Sequence, residues 1–425
     1  MARDAELDRI RIETGELSIR EVVRRGVHRD DEDQLMVLPE AESLERLMQE
    51  RRIRVYLGID PTAPDLHLGH AVPLGKLRQL QEAGHEVILL FGTFTARIGD
   101  PSDKTAQRVR LTKEQVEENM RTYVQQAGKI LDMSPESVNP IRVVGNADWL
   151  DPMTFEDVLE LMAAFDAQDI LQRQSFRDRL FSDDPKKRGR VNMIELLYGP
   201  MQAKDALELG VDLEVGGRDQ VFNMLLGRQL MAQYGLEKWV MGVKLLEDPV
   251  SGKKMSKSEG TSVELQSLPG VKYEVVMGWP DEMIPMGIEL LTRALWEVVW
   301  EVQEWLDQGL ISPRDLKRAL AFRVVSDLDG LEAAVKAEAD YDRVARGELP
   351  MEMIGMEVPR GTGLIDVLVR TGLAGDEKEA KKRLAQGSVF VNGAQIKTDM
   401  EWLDDEGVVQ IGKKTIGKIR RIRTI

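Results

Sequence analysis

Cysteine is absent from the 425 residues, which excludes disulfides, thiolate metal ligands and cysteine nucleophiles, and agrees with a reducing compartment. Long apolar runs are absent as well. No window approaches the length of a membrane span, and the opening stretch M-A-R-D-A-E-L-D-R-I has no signal-peptide h-region, so a cytoplasmic protein without membrane contact is expected. Positive charge is not in excess either, the formal net charge being −15. Such a surface does not bind polyanions nonspecifically, and any nucleic-acid contact must come from local basic patches. No cluster of carboxylates suggests a dedicated metal cage, and no resident metal is expected. What is present, 42 % hydrophobic and 31 % charged residues over this length, describes a globular protein of two or three domains with sizeable cores.

The pattern is most informative from Tyr56 to His70. An apolar strand-like run ends at Ile59, Pro61 and Pro64 force a loop, and a helical pattern opens near His67 and continues through Leu74, Leu77 and Leu80. A helix starting at about Asp65 or Leu66 puts His67 and His70 on one face, with Gly69 leaving the backbone open to a ligand. Taken alone, the histidine pair is equally an ordinary surface feature of a helix start. A second apolar run, H-E-V-I-L-L-F, follows and ends near Asp100. Strand, helix, strand implies a right-handed parallel crossover, so the two polar turns share one edge of a doubly wound α/β sheet, where ligands bind.

Residues 112 to 139 read as an amphipathic helix with Thr112 as N-cap and Gln115 three residues on. A short strand I-R-V-V-G-N follows, then helical sequence from Thr154 to about Asp212, a strand V-D-L-E-V with a Gly-Gly turn, and a helix over 221 to 235. The expected division is an α/β domain with N-terminal helices over 1–240, a helical domain over 241–345, a Pro- and Gly-broken linker over 346–362, and a small α+β module of helices and strands over 363–425.

Between the first two domains lies the loop S-G-K-K-M-S-K-S-E-G-T-S. Loops of this composition are ordinarily just solvated, but Lys254 and Lys257 near a phosphate-binding turn are suited to stabilise charge developing on a triphosphate. His67-Leu68-Gly69-His70 and Lys254-Met255-Ser256-Lys257-Ser258 resemble, in order and separation, the two ATP motifs of class I aminoacyl-tRNA synthetases. Three further features, Tyr198-x-x-x-Gln202-x-x-Asp205, Gly216-Gly217-x-Asp219-Gln220 and the Asp100 turn, resemble the tyrosyl-tRNA synthetases of bacterial type. The first of these alone is also compatible with a chance polar stripe on an exposed helix.

The resemblance covers essentially the whole chain and implies a Rossmann-like catalytic domain, a helical anticodon-side domain, and roles residue by residue. Tyr56 and Asp205 would bracket the phenolic hydroxyl of L-tyrosine, while Asp100, Tyr198, Gln202 and Gln220 would hold its ammonium and backbone end. Asp60, Thr62, Gly69, His67 and His70 would bind ATP, Gly217 and Asp219 its ribose, and Lys104 and Arg108 would approach the pyrophosphate. His67, His70, Lys254 and Lys257 would act by positioning and charge stabilisation, with Mg²⁺ arriving on ATP.

The segment L-I-D-V-L-V-R-T-G-L-A-G-D-E-K-E-A-K-K-R-L-A-Q-G-S-V-F-V-N-G resembles an S4 RNA-binding domain. Its basic side, Lys378, Lys381, Lys382, Arg383, Lys413, Lys414, Lys418, Arg420, Arg421 and Arg423, fits local phosphate contacts to tRNA(Tyr). The resemblance further implies a homodimer. Asp103, Gly199, Lys204 and Arg218 depart from the family pattern, and Arg218 beside the ribose site either adds a cation to the phosphates or points outward. Tryptophanyl-tRNA synthetase, and a non-catalytic RNA-binding paralogue, are the alternatives; Asp205 suits a phenol, and the intact histidines and lysines suit catalysis.

Overall fold

The run Arg54–Ile59 alternates β-branched and bulky apolar residues and forms a strand that is buried along most of its length. It lies near the middle of a six-stranded sheet. In the computed structural model, which describes residues 2–101, 110–250, 252, 255, 262–402, 404–412 and 415–425, that sheet comprises β1 (Val37–Leu38), β2 (Arg54–Ile59), β3 (Glu86–Phe91), β4 (Arg142–Gly145), β5 (Leu213–Gly217) and β6 (Trp239–Val243). Their order is β1-β6-β5-β2-β3-β4, all parallel except β1. Chain order reverses between β2 and β5, so the crevice beyond their carboxyl ends is the topological switch point of the sheet.

The helix Leu68–Glu82 starts later than its periodicity suggests. His67 is its N-cap, in extended conformation, rather than a residue of the first turn. The expected helix over 112–139 is likewise interrupted: Thr112 and Gln115 form the anticipated capping box, but the chain makes two short helices, Lys113–Met120 and Tyr123–Ala127. Their polar residues tie down the proline loop. Asn119 donates to Pro61 O at 3.0 Å, Gln126 donates to Pro64 O at 3.0 Å and accepts from Leu66 N–H at 2.7 Å, and Tyr123 donates to Ala63 O.

Beyond β6 the chain is helical from Pro269–Met277 to Leu331–Ala345. Its apolar core is continuous with that of the sheet: Leu74 and Leu77 belong to one buried cluster with Ile284, Ile288 and Leu320. Buried Arg25 joins the two parts by donating to the carbonyls of Glu289, Thr292 and Ala294, satisfying the end of helix Met283–Leu291.

Residues 354–358, expected within a linker, instead form β7 (Ile354–Val358) of a second sheet. This sheet continues with β8 (Val389–Val391), β9 (Ala394–Ile396), β10 (Glu406–Ile411) and β11 (Ile419–Thr424), in the order β7-β11-β10-β8-β9. Proline and glycine break helical periodicity, but an edge strand tolerates both, which is why the segment could be recruited. Asn392 and Gly393 both have positive φ, the geometry of a two-residue turn joining β8 to β9. This module has a core of its own around Leu364, Leu368, Trp402 and Ile422. It docks on the helical part through Ile416, Ile419, Val271 and Val344, and Glu274 accepts from the N–H groups of Ile416 and Gly417. Among the described residues no helix is long and apolar enough to cross a membrane.

Candidate active site

A crevice of about 240 Å³ opens at the switch point between β2 and β5. It is lined by Tyr56, Asp60, Thr62, His70, Asp100, Tyr198, Gln202, Asp205, Gly217 and Gln220, and so gathers residues that are up to 164 positions apart in sequence (220 minus 56). His67 and Gly69 belong to the same turn as His70, and Asp219 follows Gly217. Lys104, Arg108, Lys253, Lys254, Lys257 and Asp103 lie outside the described residues, as do Ser256 and Ser258.

The histidine turn is held by its own backbone. His67 Nδ1 accepts from Gly69 N–H at 3.0 Å and His70 Nδ1 accepts from His67 N–H at 3.2 Å. A ring nitrogen that accepts carries no proton, so in both rings the proton is on Nε2, which remains as a donor. The rings are 4.1 Å apart between centroids. Burial holds both below the ordinary histidine range, and with its neighbour His67 it brings His70 down to about 3. Two neutral Nε2–H donors therefore stand at the positive end of a helix, an arrangement suited to an anion. Gly69 is required here: a Cβ would fall 2.8 Å from His67 Cε1.

The segment after the lysine loop is fastened to this turn. Leu68 N–H donates to Val263 O at 3.1 Å, Leu265 N–H donates to Leu66 O at 2.8 Å, and His67 pairs with Glu264 as an antiparallel bridge. Within the loop, Met255 is buried in the main core and donates its N–H to Leu246 O. The segment that follows the second motif is thus in contact with the first.

Deeper in the crevice a chain of side chains runs across the strand ends. Tyr198 Oη donates to Asp60 Oδ2 at 3.0 Å and Thr95 Oγ1 to Asp60 Oδ1 at 2.7 Å. Asn146 Nδ2 donates to both Thr95 Oγ1 and Asp205 Oδ2 at 3.1 Å, and Trp149 Nε1 donates to Asp205 Oδ1 at 2.8 Å. Gly92 makes the room, since a Cβ there would fall 1.8 Å from Asp60 Oδ1. Burial pushes Asp205 well above the ordinary carboxylate range, and the donors Asn146 and Trp149 offset only part of it. Among the described residues Tyr56 Oη is buried and makes no hydrogen bond of good geometry, although the Glu214 carboxylate lies close to it, and burial together with the carboxylates of Glu214 and Asp205 keeps its phenol protonated. An orphaned hydroxyl on a crevice wall is a group built to meet a ligand.

At the other side Asp100 accepts from Gln220 Nε2 at 2.6 Å and pairs with the buried Arg173 at 3.2 Å. Gln202 donates to Glu214, which is paired with the buried Lys238. Arg218 turns to Glu247 at 2.7 Å, Lys204 pairs with Glu208, and Gly199 faces Leu226, whose Cδ1 a Cβ would meet at 2.5 Å.

The family model of tRNA synthetases class I (W and Y) matches residues 48–344, more than half of the chain. This chain is a class I tRNA synthetase of that family. Tyrosine–tRNA ligase of Thermotoga maritima is 38 % identical over 388 residues, covering 90 % of this chain and 94 % of that protein. Tyrosine–tRNA ligase of Carboxydothermus hydrogenoformans is 36 % identical over 415 residues, covering 94 % and 97 %. Among solved structures, a C-terminally truncated mitochondrial tyrosyl-tRNA synthetase of Aspergillus nidulans superposes with a TM-score of 0.62 at 20 % identity, covering 81 % of this chain and 99 % of that one. The Archaeoglobus fulgidus tyrosyl-tRNA synthetase complexed with L-tyrosine gives 0.57 at 22 %, covering 75 % and 98 %. At such identities the likeness is one of fold.

Within this synthetase, sequence reasoning passed over Thr95, Asn146, Trp149, Arg173, Glu214 and Lys238. Asn146 and Trp149 follow the strand I-R-V-V-G-N directly, and their position beyond a strand's carboxyl end was the available signal. Of the basic residues on the C-terminal module, Lys378, Lys381, Lys382, Lys418, Arg421 and Arg423 are exposed. Lys381 pairs with Glu377, Arg383 with Glu379, and Arg421 is 3.6 Å from Glu406. Arg420 is turned inward, donating to the carbonyls of Thr371, Gly417 and Ile419. Lys413 and Lys414 lie outside the described residues.

Proposed function

We propose that this synthetase activates L-tyrosine with ATP and transfers the tyrosyl group to the 3′ end of tRNA(Tyr). The observation that carries the reading is one crevice with anion-seeking Nε2–H donors at its mouth and an unpartnered phenol, Tyr56, beside the Asp205 carboxyl in its depth. The curated relatives that match over nine tenths of the chain are tyrosine–tRNA ligases. ATP arrives with Mg²⁺ on its phosphates.

The substrate carboxylate attacks the α-phosphorus, the bond to the bridging oxygen breaks, and pyrophosphate leaves with the electron pair. No protein nucleophile is needed. His67, His70, Lys254 and Lys257 position the triphosphate and stabilise its charge. Asp60, Thr62, Gly69, Gly217 and Asp219 hold the nucleotide, with Lys104 and Arg108 toward pyrophosphate, while Asp100, Tyr198, Gln202 and Gln220 hold the amino acid's ammonium end. The terminal ribose hydroxyl of the tRNA then attacks the aminoacyl carbonyl and AMP departs.

The C-terminal module acts as an S4-like RNA-binding domain through its exposed lysines and arginines. A homodimer is supported by large apolar side chains exposed on neighbouring helices, among them Phe155, Phe181 and Met193. The test is amino-acid-dependent ATP–pyrophosphate exchange: tyrosine supports exchange and tryptophan does not. Exchange with tryptophan, or with neither, refutes the assignment.

A further inference from the structure

Glu214 and Lys238 form an ion pair almost fully withdrawn from solvent, with side-chain exposures of 2 % and 0 %, in which Glu214 contributes to the crevice wall and Lys238 stands behind it. Neither lies among the residues that the proposed reaction uses. The pair is a built feature. Lys238 Nζ also donates to Met224 O at 2.9 Å, and Gly227 leaves the space that the ammonium occupies, a Cβ there falling 2.4 Å from Nζ. Arg228 anchors the Lys238 backbone by donating to its carbonyl at 2.6 Å. Desolvating two charges costs several kcal/mol each, on the order of what their attraction returns, so such a pair is weak evidence for stability and invites another explanation.

The explanation lies in what Glu214 faces. Its Oε1 receives Gln202 Nε2 at 2.9 Å, and Gln202 lines the crevice. Glu214 accepts from Lys238 Nζ on one oxygen and from Gln202 Nε2 on the other, so the amide of Gln202 turns its NH₂ toward Glu214. Its carbonyl oxygen is thereby left on the crevice side. A neutral group in place of Glu214 would accept either end of the amide, and the carbonyl oxygen would no longer be held toward an incoming cation.

Resting on the tyrosine reading above, we propose that Glu214 and Lys238 are a positioning pair that fixes the polarity of Gln202, so that its carbonyl oxygen accepts from the α-ammonium group of the substrate. Gln202 touches the substrate; Glu214 and Lys238 act through it. The pair therefore selects amino acids over their deaminated analogues.

The experiment compares the wild type with the double variant Glu214→Gln/Lys238→Met, which removes both charges together and leaves no buried ion unpaired. Readouts are KM for tyrosine, KM for ATP and kcat in pyrophosphate exchange, and Ki for 3-(4-hydroxyphenyl)propionate, which is tyrosine without its amino group. The expected result is a rise in KM for tyrosine of about tenfold, the loss of one charge-assisted contact, with kcat, KM for ATP and Ki of the analogue within about twofold. Gln202→Met, which deletes the acceptor and leaves the ion pair in place, should give the same split if the double variant fails to fold. A parallel rise in KM for tyrosine and Ki for the analogue, or no change in either, overturns the positioning role. A wild type without tyrosine-dependent exchange overturns the tyrosine reading itself, and the positioning role with it.

Discussion

Among the described residues Asp205 accepts hydrogen bonds from Asn146 and Trp149, while a carboxylate offers about four lone-pair sites. The remaining capacity is on the crevice side, next to the orphaned Tyr56 hydroxyl. A phenol that donates to Asp205 and accepts from Tyr56 satisfies both, whereas phenylalanine leaves both unpaired. Asp205→Ala should accordingly lower selectivity for tyrosine over phenylalanine by roughly 10²-fold in kcat/KM for exchange. Stranding the Asn146 and Trp149 donors should also cost about 1–3 kcal/mol of unfolding free energy. Unchanged selectivity would place phenol recognition elsewhere. At this scale the sequence was readable where chemistry-bearing residues recur at short fixed intervals, as in His67 with His70 or Tyr198 with Gln202 and Asp205. It was opaque for Asn146 and Trp149, whose bonds to Asp205 span 59 and 56 residues.

Among the elements, the strap formed by residues 262–268 connects the lysine loop to the histidine turn. Its far end is fixed by Lys272, which donates to Leu265 O at 2.8 Å and pairs with Asp329 at 2.7 Å, where Lys129 joins the same carboxylate. Burial brings the Lys272 ammonium down to about 8, Asp329 opposing the shift. Lys272→Met leaves Asp329 paired with Lys129 but frees Leu265 O, and the strap loses one of the hydrogen bonds that anchor it. The expectation is a rise of several-fold in KM for ATP with KM for tyrosine unchanged, because the strap meets the nucleotide end of the crevice alone. Equal changes in both constants would mean that the cluster supports the fold in general. Periodicity located the helices on either side of this strap, and the N-cap at Thr112, but placed the start of helix Leu68–Glu82 too early. The capping geometry at His67 depends on two side-chain-to-backbone bonds that a hydrophobic pattern does not encode.

At the scale of the molecule, the catalytic sheet and the helical part share one core, and the C-terminal module carries its own. Truncation therefore belongs before β7, not after it, because β7 completes the terminal sheet by pairing with β11. A chain ending at Glu352 should retain pyrophosphate exchange within about twofold and lose most tRNA charging, the outcome expected from the RNA-binding role proposed for the removed module. Equal loss of both activities would show the module to be a structural support.

The sequence by itself determined the α/β alternation, the strand exit at Ile59 and the N-cap at Thr112, because periodicity and local spacing are properties of neighbouring residues. Tertiary structure alone decided that Gly92 clears space for Asp60, that residues 354–358 become a strand, that Arg420 turns inward, and that Gln202 meets a buried Glu214–Lys238 pair. Each of these depends on partners brought together by the crossover of the sheet or the docking of a module, and no local pattern specifies who those partners are.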